Sequence, residues 1–348
     1  MNRWWWRLLL LAVLAVAAAA GGAAWRIDRW LTQPYGDFPE EQIVTVRPGQ
    51  SGISILEQLE SVGVLENARW TRAYLVYRLG DPPLQAGEYR FDQPSTPPQV
   101  LDKLTRGRVV TYPATLIEGL TMDESAQALA AQGFGDVDKF RFEMGRHELI
   151  ADLDPLAEDL EGYLHPETYH FAGETSEAEI VAKLVDTFKR RYRDRIAAPN
   201  RTVRELTTFA SIVEKEALLD EERPLIAGVF ANRLRIGMAL GADPTVIFAL
   251  KQQGTWDGNI RRRDLALDSP YNTYVYPGLP PGPICSPGIA SLEAAAAPTE
   301  TAQLYFVSRN DGTHIFATNL RDHNRNVDKW QKQYWRRRWA EERRGARE

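Results

Sequence analysis

Hydrophobic and polar positions divide the chain into stretches of different period. Residues 8–25 (LLLLAVLAVAAAAGGAAW) form an unbroken uncharged run. As a helix, residues 6–25 rise about 28 Å, close to the thickness of bilayer hydrocarbon. The polar, turn-rich 26–42 (RIDRWLTQPYGDFPEEQ) reads as a linker. After it, 43–46 is a short β-prone run, and Ile53, Ile55, Leu56 and Leu59 fall nearer to helical spacing. A second helix is predicted near 70–79, a strand over 84–91 (LQAGEYRF), and a third helix within 94–108 that starts through Pro98. Strands and short helices in this order predict a small α+β module over 43–108.

Beyond Val109 the pattern predicts a strand at 111–117 and helices at 121–131 and 136–144, then a turn-rich segment at 161–171 (EGYLHPETYHF). Two long helical patterns follow at 177–192 and 202–218, and another after the DEERP break, with Asp220 read as its N-cap. Over 237–288 helical periodicity fades and Gly, Pro, Asp, Asn and Tyr accumulate. Loops of this kind are where a rigid scaffold displays working groups. Residues 304–307 and 313–317 predict a β-hairpin around Arg309, Asn310, Asp311 and Gly312.

Composition narrows the function. A chain of 348 residues has room for two domains with appendages, and a net charge of −5 gives no global electrostatic case for nucleic acid. The single cysteine, Cys285, excludes an intrachain disulfide framework and any CxxC metal knuckle. The histidines come without HExxH or an equivalent ligand set, so no metal site is read. Trp4, Trp5 and Trp6 between Arg3 and Arg7 fit an interfacial aromatic belt beside a positive cytoplasmic end. On that reading 1–7 is cytoplasmic, 8–25 spans the membrane and the remainder lies outside. The same run also fits a cleaved signal peptide; both readings export the chain. The basic aromatic tail at 329–348 reads as a solvated helix or a contact with anionic lipid, and export removes nucleic acid as its partner.

The candidate chemistry starts from ASIVEKEA at 210–217. On a helical wheel with Ile212 at zero, Phe209, Val213 and Leu206 define an apolar arc centred near about 90°. Glu216 lands at about 40°, inside the edge of that arc, whereas Glu214 at about 200° and Lys215 at about 300° point toward solvent or rim partners. Burying a lone carboxylate raises its pKa, and a carboxyl protonated near neutral pH is what a general acid needs. The wheel alone leaves structural pairing of Glu216 open as the alternative.

Seven motifs carry a resemblance: LEGYLHPETY (160–169), ASIVEKEA (210–217), VFANRLRIGMAL (229–240), ADPTVIFAL (242–250), SPYNTYVYPGLPPGPICSPG (269–288), LYFVSRNDGTHIFATNL (304–320) and HNRNV (323–327). In this order they resemble the YceG-like (MltG) family of endolytic murein transglycosylases. The resemblance implies an α+β fold with an N-terminal transmembrane helix, a LysM-like subdomain at 43–108 and a larger mixed α/β catalytic domain at 109–328. It maps the catalytic acid onto Glu216 and implies cleavage between N-acetylmuramic acid and N-acetylglucosamine inside glycan strands, leaving 1,6-anhydro ends, with no metal or organic cofactor. It also implies a single-pass protein of the cytoplasmic (inner) membrane, working on the periplasmic side with peptidoglycan synthases of the penicillin-binding type. Asn232, Asp243, Thr245, Tyr271, Asn272, Thr273 and Tyr274 offer hydrogen bonds and aromatic faces suited to amino-sugars, with capping and turn-shaping as the structural alternative. Glu161 is the best second carboxylate, able to orient Glu216 or pair with Arg233. Two other functions fit the same residues: a non-catalytic peptidoglycan-binding scaffold, and a muramidase that uses water.

Overall fold

A computed structural model describes residues 3–336 and Arg338. Its chain divides into two compact units, one formed by residues 1–113 and 170–174, the other by 114–169 and 175–348. The first opens with α1 (Arg3–Thr32), whose Trp4–Thr32 stretch is long and apolar enough to cross a membrane. The helix continues seven residues past Trp25, into the first part of the polar segment expected to be linker. Trp30 explains the extension. It is buried, edge-on to Trp70 and Tyr74 at centroid distances of 6.0 and 6.3 Å, so packing rather than hydropathy sets where α1 ends.

The rest of this unit is β1 (Gln42–Val46), α2 (Gly52–Ser61), α3 (Ala68–Leu79), β2 (Gly87–Phe91) and α4 (Pro97–Thr105). Caps set the helix starts: Ser51 accepts from the Ser54 amide, Asn67 from Trp70, and Thr96 forms a capping box with Gln99 ahead of the two prolines. β1 and β2 pair antiparallel from Gln42 opposite Phe91 to Val46 opposite Gly87. Alternation turns Val44, Val46, Tyr89 and Phe91 inward onto Ile55, Leu56, Leu59, Leu75 and Leu101, which form the core.

The second unit is mostly helical. The division falls inside β3 (Thr111–Thr115) and β4 (Thr168–Ala172); between and after them come α5 (Met122–Ala131), α6 (Val137–Met144), α7 (Glu177–Arg195), α8 (Val203–Glu216), α9 (Arg223–Arg235), α10 (Asp243–Gln252) and α11 (Ile289–Ala296). The hairpin β5 (Tyr305–Ser308) and β6 (His314–Ala317) and the helix α12 (Leu320–Val327) complete it. Among the described residues every sheet has two strands, so the sheet content here is a set of short pairs. β4, α11 and α12 were not expected, and α10 only as the alternative in which Asp243 caps a helix. The alternation of buried Tyr169 and Phe171 is masked by the His165 and Pro166 turn, and α10 begins at Asp243 and Pro244, which read as loop residues.

Asp220 does not cap α9. Residues Asp220–Glu222 form a 3₁₀ turn, the cap position falls on Glu222, and Asp220 instead accepts from Arg223 Nε at 2.8 Å. The segment after α12 also differs from a free tail. Asn310 Nδ2 donates to the Trp330 carbonyl at 2.5 Å and Gln331 Nε2 to the Ser308 carbonyl at 2.9 Å, tying its start to the hairpin. Arg337 and residues 339–348 of the expected basic aromatic tail, like Met1 and Asn2, lie outside the described residues.

Candidate active site

α8 begins at a capping box, in which Thr202 accepts from the Glu205 amide while the Glu205 side chain returns to the Thr202 amide, and it ends where Ala217 turns extended. Leu206, Phe209, Ile212 and Val213 are fully buried along its length. Glu216 is the last helical residue, so its carboxyl emerges at the rim of that core. It stands in a cleft of about 540 Å³ with Arg233, Asp243, Tyr274, Tyr305 and His323. Burial pushes the Glu216 pKa up to about 7, helped by the like charge of Asp243 and opposed by Arg233. A carboxyl poised there is protonated in a large fraction of molecules at neutral pH.

Each cleft neighbour is itself held. Asp243 accepts the Tyr274 hydroxyl at 2.6 Å, and burial followed by that bond raises the Tyr274 pKa, so the phenol stays a donor. Arg233 donates from Nε to the Leu304 carbonyl at 2.7 Å and lies 5.3 Å from the Tyr305 ring centroid. Tyr305 stacks on His323 at 5.1 Å. Burial, then the Arg233 charge, lowers the His323 pKa, which keeps that imidazole neutral at pH 7.

Of the residues expected from sequence to bind substrate, Asp243 and Tyr274 join Glu216 in the cleft, and the others do structural work. Asn232 Nδ2 donates to the carbonyls of Thr301 and Gln303, at 2.6 and 3.1 Å, fastening the approach to β5. Thr245 and Thr273 are fully buried and bond each other at 2.9 Å, joining α10 to the loop before Tyr274. Asn272, also fully buried, donates to the carbonyls of Leu265 and Leu267 and accepts from the Tyr274 amide. Tyr271 packs on Phe248 at 4.9 Å. These four set the backbone that aims Tyr274.

Glu161 is not the second carboxylate of this cleft, and it neither orients Glu216 nor pairs with Arg233. Both of its oxygens accept from the Met122 amide, at 3.1 and 2.9 Å, which satisfies a free N–H at the start of α5. Burial drives its pKa up to about 8. Glu214 takes the partner alternative, but buried and not at a rim. Its side chain is only 6% exposed, paired with Arg223 at 3.0 Å and accepting from the Gly288 amide at 3.0 Å. A wheel of one helix cannot see that α9 and the 286–288 turn cover this flank.

Arg233, Tyr305 and His323 had no assigned part in the cleft. The signal was present, because they fall inside VFANRLRIGMAL, LYFVSRNDGTHIFATNL and HNRNV, but only folding shows which motif residues converge. Cys285 is buried at a turn, its Sγ 3.4 Å from the Ser211 carbonyl, and burial raises its pKa well above that of a free thiol. Among the described residues no cluster of three metal-ligating side chains occurs.

Comparison with known proteins agrees with the motifs. The model of the YceG-like family matches residues 44–329. An endolytic murein transglycosylase of Bacillus subtilis (strain 168) is 30% identical over 315 residues, covering 82% of this chain and 84% of the relative. One from Streptococcus pneumoniae serotype 2 is 31% identical over 321 residues, and there the match spans 57% of the longer pneumococcal protein. A crystal structure of a yceG-like protein from Listeria monocytogenes superposes with a TM-score of 0.55 at 33% identity, over 82% of this chain and 99% of that one.

Proposed function

The chain belongs to the YceG-like family, and from that premise we propose that it is an endolytic murein transglycosylase whose general acid and base is Glu216. The observation that carries this reading is one carboxyl, on the rim of a helix core, with its pKa raised to about 7 in a cleft bearing aromatic faces. Protonated Glu216 donates to the glycosidic oxygen between N-acetylmuramic acid and N-acetylglucosamine, and the C1–O bond breaks. Charge at C1 is carried by the substrate's N-acetyl group or an oxocarbenium-like state. The Glu216 carboxylate then takes the proton of the muramyl C6 hydroxyl as O6 bonds to C1, giving the 1,6-anhydro end and regenerating the acid. Tyr274 and Tyr305 offer ring faces to sugar, and Arg233 and Asp243 set the carboxyl's proton affinity from opposite sides.

In this reading α1 is a single-pass anchor in the cytoplasmic membrane and the catalytic unit acts on the extracytoplasmic, periplasmic side. The module at 43–108 is LysM-like and contacts glycan. The enzyme works beside peptidoglycan synthases, cutting nascent strands and so terminating their elongation. A hydrolytic muramidase is the second reading, favoured by one observation: Asp243 supplies a second carboxylate in the cleft.

The test is to incubate the full-length protein in detergent with peptidoglycan and identify the new ends by mass spectrometry. Anhydro-muramyl ends inside former chains are the expected result. Reducing ends would replace the transglycosylase with the muramidase, and uncut glycan would leave a binding scaffold. Glu216→Gln should lower cleavage by about 10²–10⁴-fold while folding normally.

A further inference from the structure

Two grooves flank the contact between α1 and α3, and they differ in chemistry. One, of about 520 Å³, is apolar and lined by Ala23 and Ile27 of α1 and by Ala73, Tyr74 and Tyr77 of α3. The other, of about 580 Å³, is polar and includes Arg29 and Gln33 on one side and Glu66 and Asn67 on the other. Arg26, Trp30 and Trp70 line both and form the wall between them, with the Arg26 guanidinium 5.5 Å from the Trp70 ring centroid.

The pairing fixes a direction. Ala23 lies against the C-terminal half of α3 and Gln33 against its N-terminal cap, so the two helices run antiparallel. The two grooves overlap along α1 at Arg26 and Trp30, the apolar one reaching back to Ala23 on the side of the uncharged span and the polar one onward to Gln33. Tyr77, 89% exposed, and Leu79, 44% exposed, sit at the end of α3 that points back toward the bilayer. Cationic side chains reach both grooves, Arg78 at the apolar one, Arg29 at the polar one and Arg26 at each. α3 (ARWTRAYLVYRL) carries arginines and no acid, Arg26 and Arg29 face Glu66 alone across the polar groove, and Asp81 beyond the helix is held by Arg72 through a bond at 3.0 Å.

We propose that these grooves form one phospholipid site, filled from the membrane that α1 enters. An acyl chain and glycerol occupy the apolar groove, and an anionic headgroup meets Arg26 and Arg29 across the Trp30 and Trp70 wall. An amphiphile is the ligand class that matches an apolar groove continuous with a membrane span and a cationic groove directly beside it. The buried Trp30 indole N–H, without an acceptor among the described residues, adds an unspent donor at that wall. The site would seat the first unit on the membrane surface, and it rests on the reading of α1 as an anchor.

The test places spin labels at Leu14→Cys and, separately, Tyr77→Cys in the full chain, reconstituted in nanodiscs of phosphatidylglycerol or phosphatidylcholine. Cys285 is fully buried and escapes labelling. Accessibility to oxygen and to a water-soluble nickel chelate reports depth. In phosphatidylglycerol both labels should favour oxygen, and the Tyr77 label should shift toward the chelate in phosphatidylcholine and in the R26Q/R29Q variant. A Leu14 label in lipid with a Tyr77 label fully open to the chelate would overturn the site and leave the anchor standing. If the Leu14 label is itself in water, the anchor reading fails and takes the site with it. Equal shielding of Tyr77 in both lipids would overturn the anionic headgroup.

Discussion

The carboxyl of Glu216 owes its raised pKa to burial first and to Asp243 second, so substitution can separate the causes. Catalysis needs the protonated form, and raising the pH through about 7 removes it, so kcat/KM should fall on the alkaline side of that value. Asp243→Asn deletes a nearby negative charge while keeping an oxygen for the Tyr274 hydroxyl. The ionised form of Glu216 is then less opposed, its pKa drops, and the falling limb of the profile should move to lower pH. A limb that stays put or moves upward would show that Asp243 does not act on Glu216. Glu214 makes the contrasting case two positions earlier. Glu214→Gln breaks a buried pair with Arg223, which keeps Asp220 as a partner, so a loss of about 3 kcal/mol in denaturant unfolding is expected. The folded fraction of that variant should still cut glycan; a well-folded, inactive Glu214→Gln would move the acid to the wrong residue.

At the scale of elements, the cleft depends on α9 lying close to the chain ahead of the hairpin. A methyl group at Gly228 would sit 2.3 Å from the Thr299 carbonyl oxygen, so glycine is what lets the 299–303 segment reach Asn232. Thr299 N also donates to the Pro224 carbonyl at 2.9 Å, a second fastening between the same pieces. From there Arg233 grips Leu304 and Tyr305 follows into the cleft. Gly228→Ala must push backbone aside, at a cost of about 1–3 kcal/mol, and should also lower kcat/KM because β5 is displaced. Full activity with unchanged stability would mean the hairpin is positioned from elsewhere. The helices through α8 were legible, since S/T/D/N caps and capping boxes mark their starts in the sequence. α10, α11 and α12 were not: α10 opens on the loop residues Asp243 and Pro244, and α11 follows Gly288 with no side-chain cap.

Over the whole molecule, two compact units each carry a hydrophobic core. Leu101 is fully buried in the core of the first. Leu101→Ala should cost that unit about 2–5 kcal/mol, seen as an earlier transition in its hydrogen exchange, while amides around Phe209 and Ile212 keep their protection. A uniform loss of protection in both units would show that they unfold as one.

What the sequence determined by itself was whatever depends on local period and composition: the uncharged run of α1, the starts of α2 to α8, the strands of the first unit, the hairpin, and the apolar side of α8 that receives Glu216. Motif order added the family. Tertiary structure alone decided which polar residues meet. Glu214 and Glu161 became buried anchors, Asn232, Thr245 and Asn272 became fastenings, and Arg233, Tyr305 and His323 came to stand around Glu216. The reason is physical. A helical wheel records the direction in which a side chain leaves its own helix, but its environment is set by elements that pack there from elsewhere in the chain, and desolvation and charge, which tune a carboxyl, belong to that environment.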